Sequence, residues 1–233
     1  RYSPAARCQH FDWIEQADSP TVFIGKPCDV AALRKAQAMN PELQRKVAFS
    51  ISIFCAGTPS TEGTLAILNK VGIDVDDVAD FRYRGNGWPG DTVVRTKENK
   101  EVRLTYEQSW DDILSRHIPL RCRLCPDGSG EFADISCGDS WYRPILPDEP
   151  GRSLFAARTE KGKDILHQAQ RDGYVKMVKA DPDILPLSQK GLLNKRRHIS
   201  SRIAAMQWCR IPSPRYKGFS MRKNSRDLSL LKR

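Results

Sequence analysis

Histidine is the scarce resource in this chain of 233 residues. There are four, at His10, His117, His167 and His198, and they are scattered. No Ser-His-Asp or Cys-His triad spacing presents itself, and imidazole-rich hydrolytic metal chemistry has little to work with. No apolar run approaches the roughly 20 residues that a membrane span requires. A Walker-type phosphate loop is missing, and the glycine clusters do not open a helix as the dinucleotide fingerprint would. Zinc-finger spacing and aromatic-basic RNA-recognition motifs are lacking too. There is no secretory signal. The chain opens Arg1-Tyr2-Ser3-Pro4 without Met, and we expect a fragment whose N-terminal part is missing, so targeting is unread.

What is present is cysteine, seven in all. An odd number argues against a closed disulfide framework and for a reducing, cytoplasmic setting in which thiols bind metal or stay reduced. A formal charge of +10 suggests nucleic acid at first sight. The excess gathers late, however, at Lys195-Arg196-Arg197 and again from Arg210 to Arg233. We read it as a solvated basic tail and disfavour a nucleic-acid partner. Hydrophobic residues make up 39% and charged residues 28%, a wet globular composition of a size that buries a core without staples.

The chain reads as α/β, a mixed β-sheet flanked by helices with a hairpin-containing insertion. Thr21–Gly25 is a strand, followed by a turn at Cys28 and a helix from Val30 to Ala36 capped by Asp29. The unit repeats: strand Val47–Phe54, turn Cys55–Ser60, helix Thr61–Val71 ended by Gly72. In open α/β sheets the crevice beyond the C-terminal strand ends is where ligands bind. Asp80–Arg84 is strand-like, and Thr92–Thr96 and Glu101–Thr105 form a hairpin around Glu98-Asn99-Lys100. A helical segment at Tyr106–Ser115, strands at Phe132–Cys137 and Leu154–Arg158, a helix Thr159–Arg171, a strand Tyr174–Lys179 and a long helix Leu187–Cys209 complete the reading. Three parts follow: a domain over 1–180, a helical segment over 181–209, and a disordered basic tail over 210–233.

Four cysteines stand in pocket-shaping contexts. Cys28 and Cys55 occupy equivalent strand-to-helix turns, and Cys122 and Cys125 form a C-x-x-C ahead of Pro126. Two intervening residues let both sulfurs face one metal, but the spacing is shared by zinc sites, redox dithiols and iron–sulfur centres. A Cys3His zinc site using His117 remains open, as does burial of Cys28 and Cys55 as small core residues. Cys8, Cys137 and Cys209 are read as structural. In Arg82-Tyr83-Arg84-Gly85-Asn86-Gly87-Trp88-Pro89-Gly90, glycines permit close backbone approach, arginine supplies an anion fork, and Trp88 offers a stacking surface. That suits a nucleotide or flavin; the bland reading is a hairpin turn. Asp134 and Asp139 flank a short strand near the C-x-x-C, either meeting a cofactor hydroxyl or capping turns.

These four segments, in this order, resemble the coenzyme F420-reducing hydrogenase beta-subunit family. They are Gly25–Leu33, Phe54–Ser60, Tyr83–Gly90 and Arg121–Asp139. The likeness runs from about Tyr2 to about Tyr174 and leans towards the family's bacterial branch. It implies FAD and a 4Fe–4S cluster exchanging electrons, with Cys28, Cys55, Cys122 and Cys125 at the family's cysteine positions. It implies that Arg84, Gly85, Asn86, Gly87 and Trp88, with Asp134 and Asp139, border the flavin. A ferredoxin-like or other redox donor and a small-molecule substrate are the partners expected of such a protein. The competing expectation is a zinc-stabilised, non-catalytic binding module with a basic tail.

Overall fold

The computed structural model describes residues 7–144 and 151–219. In chain order the helices and strands begin α1 (Phe11–Glu15), β1 (Thr21–Gly25), α2 (Pro27–Gln37), α3 (Pro41–Lys46), β2 (Val47–Ile53) and α4 (Thr61–Val71). Then come β3 (Val78–Arg82), β4 (Thr92–Thr96), β5 (Glu101–Leu104), α5 (Leu120–Arg123), β6 (Ile135–Asp139) and β7 (Ser153–Ala157). The last helices are α6 (Glu160–Arg171), α7 (Ile184–Ser188), α8 (Lys190–Arg197) and α9 (Ile199–Trp208). No helix among the described residues is long and apolar enough to cross a membrane.

The expected mixed α/β architecture is present, and it divides into two compact units. One holds a four-stranded sheet in the order β1-β2-β6-β7 and comprises, of the described residues, 7–56, 124–143 and 153–219. β1, β2 and β6 run parallel, with Ile51 opposite Ile135, and β7 is antiparallel to β6. Val30 and Leu33 of α2 lie in its core with Phe23, Leu43 and Val47. Both are fully covered, each contributing about 1.5–3 kcal/mol. The other unit, Gly57–Arg123 with Pro144, Gly151 and Arg152, is the hairpin-bearing insertion. Its antiparallel sheet β3-β4-β5 packs with α4 around Ile67, Leu68, Ile73, Val94 and Leu114.

Several boundaries move for physical reasons. Pro27, whose fixed φ suits the first helical position, starts α2 before Asp29, so Lys26 is the cap and Cys28 lies in the first turn. The helix α3 arises from Asn40, whose side chain accepts from the Glu42 and Leu43 amides, followed by Pro41. Strands expected at Phe132–Cys137 and Leu154–Arg158 are Ile135–Asp139 and Ser153–Ala157. Tyr106–Ser115 is a π-turn at Glu107–Asp111 running into a 3-10 turn at Leu114–His117 rather than an α-helix. Tyr174–Lys179 is not a strand: it alternates suitably but has no neighbouring strand to bond, leaving Tyr174 and Val178 exposed. The long C-terminal helix is broken at Gln189 and His198 into α7, α8 and α9.

Candidate functional site

The sheet unit gathers three of the four cysteines singled out above. Cys28 opens α2, Cys55 follows β2, and Cys125 lies just beyond α5. None of the seven cysteines is in a disulfide. Cys28 keeps solvent-exposed surface, unlike the usual buried structural cysteine. Its thiol is nonetheless pushed up, first by partial burial and then by Asp29, with Cys125 and Cys55 adding and Lys26 opposing. So Cys28 lies near enough to Cys55 and Cys125, both far from it in sequence, to feel their charge. Cys122 falls in α5 of the other unit, its amide donating to Pro119 at 2.9 Å. Among the described residues no group of three or more His, Cys, Asp and Glu side chains is drawn together at metal-holding distances. The chemistry of the donors nevertheless fits a soft cation: mutual repulsion disfavours neighbouring thiolates until positive charge is placed among them.

The loops that carry these thiols are fixed by backbone geometry. Asp29 accepts from the Lys26 amide at 2.9 Å and from its ammonium at 2.7 Å, locking the first turn of α2 beneath Cys28. The Cys55 amide donates to the Gly128 carbonyl at 2.8 Å, joining the two cysteine loops directly. Cys125 donates its S–H to the Asp127 carbonyl at 3.2 Å. The Asp127 carboxylate, almost wholly buried, accepts from the amides of Ser129, Gly130 and Glu131 at 3.0, 2.7 and 2.9 Å. Burial pushes this carboxyl up, against the pull of those amides and of Arg158 and Arg196. Cys8, read as structural, shares Asp29 and Lys26 with Cys28, and its thiol is likewise raised, by burial first and then by Asp29.

Asp134 is committed within the sheet unit. Its carboxylate accepts from the Ser50 amide (2.9 Å) and hydroxyl (2.8 Å), from Thr159 (3.0 Å) and from Arg34 (3.3 Å). Burial pushes it up, but the Ser50 and Thr159 bonds and the Arg34 charge outweigh that and hold it below its ordinary value. Asp139 ends β6, and its carbonyl accepts from Gln189 at 2.6 Å.

The insertion unit carries the glycine loop, and a cleft of about 330 Å³ opens there. Gly85, Asn86, Gly87, Trp88, Pro89, Gly90 and Asp91 line one side; Arg103, Thr105, Tyr106 and Glu107 line the other. Gly85, Asn86, Gly87 and Gly90 all have positive φ. A Cβ at Gly90 would stand 2.5 Å from the Gly85 nitrogen, so only glycine closes this turn. Arg84 donates to the Pro89 carbonyl at 2.9 Å and lies 5.4 Å from the Tyr106 ring centroid, bracing the loop. The volume sits at the small end of ligand pockets, enough for a ring system or a phosphate rather than a whole dinucleotide.

A mixed sheet with cysteines on its loops and an inserted unit with a glycine-lined cleft define a two-unit α/β protein. Residues 19–183 match the family described as the C terminus of the coenzyme F420 hydrogenase/dehydrogenase beta subunit. The chain belongs to that family, one of redox-enzyme subunits. It is 28% identical to the coenzyme F420 hydrogenase subunit beta of Methanococcus voltae, covering 82% of this chain and 65% of that one. It is 27% identical to the coenzyme F420-dependent sulfite reductase of Methanocaldococcus jannaschii (63% of this chain, 23% of that one). Against the F420-dependent formate dehydrogenase 1 subunit beta of Methanococcus maripaludis the identity is 26%, over 71% and 41%. The chain therefore spans between a quarter and two thirds of these relatives' lengths. A chain of the F420-reducing [NiFe] hydrogenase complex from Methanosarcina barkeri shares the fold with a TM-score of 0.57 at 21% identity, covering 88% of this chain and 69% of that one.

Proposed function

We propose that this chain is an iron–sulfur flavoprotein, one component of a larger redox enzyme. Cys28, Cys55 and Cys125, joined by Cys122 through the C-x-x-C spacing, hold a 4Fe–4S cluster, and the Arg84–Trp88 loop receives part of FAD. The observation that carries the reading is that Cys28 lies within electrostatic reach of Cys55 and Cys125, whose loops are tied by the Cys55–Gly128 hydrogen bond. Cluster and flavin, when bound, supply single-electron storage and its conversion to hydride-level chemistry. This chain's own part is to hold and orient them. Asp29 and Asp127 fix the backbone on which the thiols ride. Arg84 and Tyr106 brace the glycine loop, and Asp134 braces β2 through Ser50 rather than offering a free carboxylate. The relatives' names carry coenzyme F420, so the reduced deazaflavin is the first hydride carrier to assay; a one-electron redox protein is the expected partner.

Anaerobic purification tests the reading. Iron, acid-labile sulfide and released FAD are expected together in a brown protein. Cys125→Ser is expected to remove most of the iron, because a hard hydroxyl replaces a soft thiolate, while Cys209→Ser retains it. A colourless protein with stoichiometric zinc and no iron would instead establish the zinc-stabilised module, which the same thiol donors would serve.

A further inference from the structure

The C-terminal part of the chain returns to the cysteine loops and fastens on both of them. Lys195 of α8 donates to the carbonyl of Ala56, the residue after Cys55, at 3.1 Å. Tyr216 donates its hydroxyl to the carbonyl of Leu124, the residue before Cys125, at 2.5 Å. Between these two points Arg196 pairs with Glu131. Leu192 covers Gly128 so closely that a Cβ there would lie 2.8 Å from its side chain. Phe219 closes the segment against Phe132, with ring centroids 5.2 Å apart. All of these residues belong to the sheet unit. The fastened groups are not spread over the surface: each grips the stretch adjoining Cys55 or the stretch Leu124–Phe132.

Two features separate this from ordinary surface packing. The donors meet main-chain carbonyls next to the cysteines themselves, which holds the backbone from which each sulfur springs. The strap also sets the Lys195 ammonium on the residue next to Cys55, while Arg196 is paired with Glu131. Tyr216 feels the other loop, its hydroxyl pushed up by burial and then by Cys125. Thiolate-rich redox centres have potentials set by net charge, nearby hydrogen bonds and solvent exposure, and the strap bears on the first two.

We propose that Lys195 and Tyr216 are positioning residues of the thiol centre, members of a C-terminal strap that fixes the backbone beside Cys55 and Cys125 and sets one positive charge beside Cys55. The redox half of this inference rests on the cluster reading above; the positioning half does not. Tyr216 lies in the stretch 210–233 expected from composition to be a tail, and Lys195 in the basic run read as solvated.

The test uses the full chain in two forms. In chelator-treated, reduced protein, alkylation by iodoacetamide is followed cysteine by cysteine with peptide mass spectrometry. Read as the rate per thiolate from its pH profile, so that the smaller thiolate fraction left by loss of a cation is separated out, labelling of Cys55 is expected to rise several-fold in Lys195→Met and that of Cys125 in Tyr216→Phe, with Cys209 unchanged and Lys195→Arg restoring the wild-type rate. In protein reconstituted anaerobically with iron and sulfide, Lys195→Met is expected to shift the midpoint potential to more negative values, since losing a nearby cation disfavours the added electron, and Lys195→Arg is expected not to. Unchanged labelling at Cys55 and Cys125 would overturn the strap, and so would an equal rise at Cys209, which marks general loosening. Site-selective labelling in a protein that never takes up iron would sink the cluster reading while leaving the strap standing. Selective labelling with an unmoved potential would overturn the electrostatic half.

Discussion

Asp134 shows most directly what a single side chain does here. One carboxylate ties β2 through Ser50, α2 through Arg34 and the start of α6 through Thr159. Asp134→Asn keeps the shape but removes the charge and turns an acceptor into a donor facing Arg34. Unfolding by denaturant is expected to show a loss of about 3 kcal/mol. Because folding holds this carboxyl below its ordinary value, its stabilisation is complete above that value and fades as pH falls through the folded-state pKa. The wild-type protein should therefore lose stability in acid more steeply than the Asn variant. At the cleft, Arg84→Ala removes both the bond to Pro89 and the contact with Tyr106. Flavin retained after gel filtration is expected to drop in Arg84→Ala and in Trp88→Ala. Full occupancy in both would return the loop to a plain turn.

Among the elements, α6 gives a test in which two effects oppose. Gly162 stands in its first turn, where alanine gains about 1 kcal/mol of helix propensity. A Cβ there would lie 2.1 Å from the Asp134 carbonyl oxygen, a backbone atom that cannot swing aside. Repulsion wins, so Gly162→Ala is expected to lower the melting temperature rather than raise it. This is also where the sequence stops being readable. A β-branched and aromatic run ending in glycine marked β1, an apolar run marked β2, period-two alternation marked the β4–β5 hairpin, and Gly72 marked the end of α4, because those signals are local. The bonds that join Arg34, Ser50 and Asp134 span 16 to 100 positions along the chain, and no local pattern announces them. Tyr174–Lys179 failed in the opposite sense: a strand signal with no strand beside it. For the candidate site, the strand-to-helix placement of Cys28 and Cys55 was legible, Cys125 was singled out by its C-x-x-C spacing, and their role as ligands is the proposal made above. Lys195 and Tyr216 were hidden because a basic, proline-containing stretch looks the same whether it is solvated or laid along a loop.

Charge belongs to the molecule as a whole. With 38 basic and 28 acidic residues, the chain carries a formal +10 and would draw an acidic one-electron carrier towards it. Stopped-flow reduction by such a carrier is expected to slow as salt rises past about 0.1 M, where screening shortens to roughly 10 Å. Reduction by a neutral small molecule should not change. The insertion unit has a further consequence, for synthesis. The bonds that seat β6 on β2 close between residues 84 positions apart, Ser50 and Asp134. A ribosome delivers β1 and β2 first, then the whole insertion, and only then the strand that completes the pairing. For those seconds β2 is an open edge on a nascent chain, with the main-chain groups of Ile51, Ser52 and Ile53 lacking their β6 partners, while the locally wired insertion can already fold. The order of emergence makes the late strand, not the early ones, the step at which a newborn chain either finishes or finds a chaperone.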